Sequence, residues 1–127
     1  MLIRRYTKRD EPAFFTMLRD AGEDWSEYYG ETGYAKYARA METSAAYLLC
    51  SGDELCGYAR CREDDGFGVY VYDLLVRKPY RGHRYGSLLM ERVREDFPNQ
   101  TAYVMSDVDG YYEKLGYPRI GSIFEVK

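Results

Sequence analysis

Apolar side chains recur along this chain at two spacings, and the switches between them mark out the elements. Residues 2–6, LIRRY, read as a short strand. Asp10 then offers a helix cap with Pro12 in the first turn, and Phe14, Phe15, Leu18 and Ala21 recur at helical spacing until Gly22 stops the run. The spacing predicts a helix over about residues 11–21. EDWSEYYGE carries no clear period, after which Tyr34, Tyr37, Ala38 and Met41 share one side of a second amphipathic helix running to about Glu42. From Ala45 the period falls to two. AAYLLC, LCGYARCR and VYVYDLLV, separated by the turns SGDE and EDDGFG, predict an antiparallel meander. The loop KPYRGHRYG follows its last strand directly, and behind it Leu89, Val93 and Phe97 recur every four residues until Pro98 ends a helix. TAYVMS predicts another strand, Asp107 or Asp109 can cap a short helix through YYEKLG, and IGSIFEVK predicts a closing strand. With neither linker nor repeat in view, residues 1–127 read as one domain.

Composition narrows the class. A chain of 127 residues that is 46% hydrophobic can bury a core without metal or disulfide staples. Cys50, Cys56 and Cys61 form no CxxC pair and no signal peptide precedes them, which reads as reduced thiols in the cytoplasm. No apolar run reaches the roughly 18 to 20 residues of a membrane span. A net charge of −3 argues against a general nucleic-acid binder, which needs a broad basic face. GxxxxGK[ST] is absent, and the lone GFG at 66–68 precedes a strand instead of following one, so a P-loop is excluded. One histidine and three scattered cysteines lack zinc-site spacing, and His83 has no serine nucleophile in view, so neither a metal centre nor a triad is expected.

Within this acidic chain Arg77, Lys78, Arg81, His83 and Arg84 form a local cluster free of acids. The first N–H groups of a helix have no partners inside it, and the helix dipole places positive charge there, so a loop that exposes them binds phosphate. Gly82 and Gly86 let backbone approach an anion; alone, such a pair serves equally well as a tight turn and a close helix-to-sheet contact. The loop resembles motif A of the GNAT superfamily (Gcn5-related N-acetyltransferases), a Q/R, two residues, G, one residue, G/A, which falls here on Arg81, Arg84 and Gly86 with Arg84 replacing the middle glycine. YYEKLGY at 111–117 resembles the family's FYEKLGF, with Met105 standing where an asparagine is common seven residues earlier.

The resemblance implies an α/β fold with a mostly antiparallel twisted sheet of about six to seven strands flanked by about four helices. It implies acetyl-CoA as cosubstrate, without a metal, held by Leu74, Leu75, Val76, Arg81, Gly82, His83, Arg84, Tyr85, Gly86 and Ser87. It further implies direct acetyl transfer to an amine, with Tyr112 protonating the departing thiolate; on residue type alone Tyr112 reads equally as a packing tyrosine. Strict alternation in VYVYDLLV puts Tyr70, Tyr72, Leu74 and Val76 on one face and Val69, Val71, Asp73 and Leu75 on the other. Asp73 would then face away from the acceptor and serve as a structural hydrogen-bonding group. Glu23, Asp24, Glu27 and Glu31 among Trp25, Tyr28, Tyr29 and Tyr34 suit a small cationic amine, and read equally as a solvated acidic surface. A non-catalytic acyl-CoA-binding module stays open as the alternative, and the aromatic surface permits a homodimer. Neither nucleic acid nor a membrane is expected as partner.

Overall fold

A computed structural model describes residues 1–127. Five strands form one sheet in sequential order: β1 (Leu2–Arg5), β2 (Ala45–Ser51), β3 (Glu54–Glu63), β4 (Val69–Val76) and β5 (Ala102–Val104). The first four pair antiparallel, while β5 lies parallel to β4. A parallel neighbour needs a crossover, which the helix α4 (Tyr85–Asp96) supplies. The other helices are α1 (Glu11–Ala21), the single turn α2 (Ser26–Tyr29), α3 (Tyr34–Thr43) and the short α5 (Asp109–Lys114). The sheet is smaller than the six to seven strands expected, because IGSIFEVK forms none: residues 118–127 are exposed and outside any element. No helix is long and apolar enough to cross a membrane.

Each face of the sheet carries a core. On one, Phe14, Phe15 and Leu18 of α1 and Tyr37 and Met41 of α3 pack on Leu48, Tyr58 and Leu75. On the other, Leu89, Met90 and Val93 of α4 cover Tyr47, Leu49, Ala59, Val69 and Val71, with Leu74 and Val76 at the margin. The cysteines are free and buried.

One irregularity decides which way β4 points its side chains. Arg60 of β3 lies opposite Asp73, but the next residue, Cys61, lies opposite Val71, so Tyr72 is an extra residue in β4. Such a bulge shifts the alternation by one position. Val69, Val71, Leu74 and Val76 therefore face α4, whereas Asp73 and Leu75 face α1 and α3. The sequence reading, which placed Val69, Val71 and Asp73 on one face, is corrected here.

Asp10 does not cap α1 through its side chain. Its carboxylate accepts the Thr7 N–H at 2.8 Å and both Arg4 amino groups at 2.9 and 2.7 Å, tying β1 to the entrance of α1. The Arg4 hydrogen bond holds this carboxyl below the ordinary aspartate value. A depressed pKa contributes stability above the unfolded value, and that stability is lost as pH falls through the folded one. Asp10→Asn is expected to cost about 1 kcal/mol at neutral pH. In thermal melts the variant and the parent should converge once the pH has fallen through the lowered titration of Asp10.

Candidate active site

β3 flanks β4 along its whole length, from Val69 opposite Glu63 to Val76 opposite Gly57. On the other side β5 pairs only with Val69–Val71, and the last bond between them runs from the Met105 N–H to the Val71 carbonyl at 2.9 Å. From Tyr72 to Val76 that edge carries no strand, and backbone groups there can pair with an extended ligand as another strand would. Arg81 spans the end of this opening, donating from Nε to the Val76 carbonyl at 2.8 Å.

The start of α4 faces the same opening. The N–H groups from Gly82 to Ser87 make no hydrogen bond within the chain, and no side chain caps the helix. Arg84, the residue ahead of α4, is left-handed with φ 62° and ψ 22°. It keeps the backbone turn a glycine would take, at a cost of about 1 kcal/mol. Gly82, with φ 86°, has nothing within 4 Å of where a Cβ would stand. Arg81, Gly82, His83 and Arg84 are exposed, Tyr85 and Ser87 half-buried, and Gly86 buried. Free amides, a helix N-terminus and three flexible basic side chains make this loop suited to an anion with several oxygens, such as a diphosphate. Leu74 and Val76 present side chains on the α4 side, while Leu75 is buried toward α1 and turns its carbonyl toward Gly57 of β3.

α5 covers the other flank of the opening. Tyr112 is buried between Tyr111 and Tyr117, with ring centroids 5.0 and 6.1 Å away, and its hydroxyl bonds nothing in the chain. Burial, aided by Tyr111 and Asp107, pushes its pKa up to about 12. The hydroxyl that reaches α4 belongs to Tyr111: a Cβ on Gly86 would overlap it, with Leu74 Cδ2 at 3.7 Å. Tyr111 entered the sequence reading only as the first position of YYEKLGY, with no role of its own.

On the opposite face Asp73 stands at the centre of a buried polar cluster. Its Oδ2 accepts the Tyr37 hydroxyl and Arg60 Nε, both at 2.7 Å, and its Oδ1 accepts the Tyr28 hydroxyl at 3.1 Å. Tyr37 has one proton and gives it to Asp73, so in its 2.7 Å contact with Tyr58 it is Tyr58 that donates. Burial, with the Asp73 carboxylate, raises the pKa of Tyr28 to about 12 and lifts Tyr37 and Tyr58 further, so all three remain donors. The Arg60 guanidinium lies 5.4 Å from the ring centres of both Tyr37 and Tyr72. Burial works against its charge, but the hydrogen bond and charge of Asp73 outweigh that and its pKa is raised. Because of the bulge, Asp73 meets the aromatic and acidic segment after α1 instead of turning from it. Trp25 and Tyr28 line that junction, and Glu23, Asp24, Glu27 and Glu31 project into solvent around it. Its structural role stands; its direction is the reverse of the expected one. Arg60, Tyr28 and Tyr37 come from three separate elements, β3, α2 and α3, and nothing in the sequence pointed to their meeting at Asp73.

The profile of the Acetyltransferase (GNAT) family matches residues 10–117, and the chain belongs to that family. Over 69 residues it is 30% identical to GCN5-related N-acetyltransferase 2, chloroplastic, of Arabidopsis thaliana, a match covering 50% of this chain and 27% of that protein. An uncharacterized N-acetyltransferase of Porphyra purpurea is 26% identical over 72 residues, covering 53% and 41%. The chain thus spans less than half the length of these curated relatives. Among solved structures, an aminoglycoside acetyltransferase from an uncultured soil metagenomic sample superposes with a TM-score of 0.77 at 22% identity, covering 99% of this chain and 97% of the other. That likeness is one of fold.

Proposed function

We propose that this protein is an acetyl-CoA-dependent N-acetyltransferase that moves an acetyl group to a primary amine by direct transfer in a ternary complex. The observation that carries the reading is the pairing of unpartnered amides, Gly82 to Ser87, with the strand-free edge of β4 beside them. Arg81, Gly82, His83, Arg84, Tyr85, Gly86 and Ser87 would hold the diphosphate, and the backbone of Leu74, Leu75 and Val76 the amide arm. Acetyl-CoA supplies an activated acyl group as a thioester.

The chain's own part is to orient, to stabilise charge and to move protons. A neutral amine nitrogen forms the new bond to the acyl carbon as the carbon–sulfur bond breaks, and backbone N–H groups of the open β4 edge meet the charge that develops on oxygen. The amine's surplus proton leaves to water or to one of the exposed acids among residues 23–31. Tyr112 gives its proton to the leaving sulfur and regains one from solvent. The acids and rings of that segment support a cationic acceptor, through ion pairing and contact with aromatic faces. Two fold relatives are named aminoglycoside acetyltransferases, which puts aminoglycosides first in an acceptor panel beside simple polyamines.

The test is release of CoA thiol with that panel. Tyr112→Phe is expected to lower kcat by about 10- to 100-fold while acetyl-CoA binding stays unchanged. With its pKa near 12, Tyr112 keeps its proton through the assay range, so kcat should not decline between pH 8 and pH 10 on its account. A second reading, an acyl-CoA-binding module without catalysis, is favoured by one observation: both Asp73 oxygens are already engaged by Tyr28, Tyr37 and Arg60. Tight acetyl-CoA binding with no thiol release from any amine would select it.

A further inference from the structure

The bulge places one side chain where β4 and β5 part. The last bond between the two strands ends on the Val71 carbonyl, so Tyr72, the extra residue of the bulge, is the first beyond it. A cofactor lying from the loop at 82–87 along Val76, Leu75 and Leu74 brings its acyl end to that fork. Tyr72 projects to the α1 and α3 side: the Arg60 guanidinium lies 5.4 Å from its ring centre and the same distance from the ring of Tyr37. Arg60 is itself held, Nε by Asp73 at 2.7 Å and an amino group by Ser44 at 3.2 Å. A fixed cation thus pins the Tyr72 ring, while the residue stays 39% exposed.

Two more rings continue this wall. Val69, Val71, Ala102 and Val104 pack toward α4, so Tyr70 and Tyr103 between them point to the side of Tyr72. Their rings are stacked, 21° apart with centroids at 5.2 Å. Gly68 leaves room for them, since a Cβ there would stand 3.1 Å from one ring and 3.3 Å from the other. Tyr70, Tyr72 and Tyr103 belong to neither core, and each keeps exposed surface. Rings left outside the cores and beside the opening offer a guest a flat apolar surface.

The charges around the wall restrict that guest. Both Asp73 oxygens are engaged, so Asp73 and Arg60 offset each other and neither seeks a charged partner. Arg62, opposite Tyr70, donates to Thr43 Oγ1 at 3.1 Å instead of to an acid, which leaves positive charge beside the rings. Glu23, Asp24, Glu27 and Glu31 are exposed, so they draw a cation in through solvent without seating a second one at the fork. We infer that the acceptor is a monoamine carried on an aromatic ring, and that Tyr72 is the residue that selects it. The guest's ring lies against Tyr72, with Tyr70 and Tyr103 behind, and its amine reaches the fork. This rests on the transfer reading above and adds the acceptor's chemical class to it.

The test uses the full chain, acetyl-CoA and three probes: 2-phenylethylamine, putrescine and the aminoglycoside kanamycin. kcat/KM for 2-phenylethylamine should exceed that for either of the others by at least about tenfold. Tyr72→Leu keeps apolar bulk without the ring, and should raise KM for 2-phenylethylamine about tenfold with KM for acetyl-CoA and the circular dichroism unchanged. Tyr72→Phe, which restores the ring, should recover most of that loss. Preference for putrescine or kanamycin overturns the inference while leaving acetyl transfer standing, and so does a KM indifferent to Tyr72→Leu. If no amine releases thiol, the transfer reading fails and binding decides the inference. Trp25, the one tryptophan, lies 5.9 Å from Tyr28 between ring centroids, and Tyr28 bonds Asp73 beside Tyr72. With CoA present, 2-phenylethylamine should change the Trp25 fluorescence saturably in the parent and in Tyr72→Phe, and about tenfold more weakly in Tyr72→Leu. A flat titration of the parent, or one curve shared by all three proteins, overturns the inference.

Discussion

Asp73→Ala is expected to remove about 3–5 kcal/mol of unfolding free energy, read as a lower urea midpoint at an unchanged slope. The size follows from what stays behind. The Arg60 side chain is only 13% exposed, and without Asp73 its guanidinium keeps one hydrogen bond, to Ser44 Oγ at 3.2 Å, and two ring faces. Two phenol hydroxyls, Tyr28 and Tyr37, lose their acceptor together with it. Removing one partner of a buried pair costs more than the pair contributes, because the other is left as an uncompensated charge. Asp73→Ala combined with Arg60→Met should therefore be more stable than Asp73→Ala alone, a coupling that a double-mutant cycle reads directly. Tyr28 belongs to the single turn α2, so its release should also raise KM for the amine more than KM for acetyl-CoA. A loss below 1 kcal/mol would mean that Asp73 holds nothing in place.

The same aspartate separates what the sequence could tell from what it could not. Meander, basic loop and following helix were legible because each rests on a local signal: a period of two, a glycine-bearing turn, a period of four ended by proline. The bulge at Tyr72 has no such signal. It is a mismatch between two strands, and a one-residue shift reverses the direction of every later side chain. Arg60 lies opposite Asp73 only in that shifted register. Tyr28 comes from EDWSEYYGE, whose lack of period gave no way to aim any of its rings. Asp10 shows the smaller version of the problem: its position suited a helix cap, but Arg4 across the turn competes for the carboxylate more strongly. In residues 118–127 the period of two predicted a closing strand that does not form, because a strand needs an edge to pair with and no local pattern encodes one.

Gly86→Val is expected to weaken acetyl-CoA binding by about 100-fold, equivalent to about 2.7 kcal/mol, with a smaller change in stability. Gly86 is in the first turn of α4, and its Cα faces the Tyr111 hydroxyl so closely that any side chain must displace the ring. Tyr111 can move, since it is 42% exposed, but its hydroxyl already stands beside Gly86 of α4 close to Leu74 of β4, so a shift of the ring disturbs the opening between them. The fold would then survive while the opening closes, so calorimetry should lose the binding heat before a melt loses the transition. Removing the obstructing oxygen provides the control. Tyr111 Cζ stands 3.5 Å from the place of the added Cβ, an ordinary contact, so Gly86→Ala should bind poorly and Gly86→Ala with Tyr111→Phe should recover most of the affinity. Arg84→Gly separates backbone from charge in the same loop. Releasing a left-handed arginine should raise the melting temperature slightly, since the strain is about 1 kcal/mol, while losing a cation beside the amides should weaken acetyl-CoA about tenfold. Equal binding by all these variants would mean that the diphosphate is held somewhere other than the start of α4.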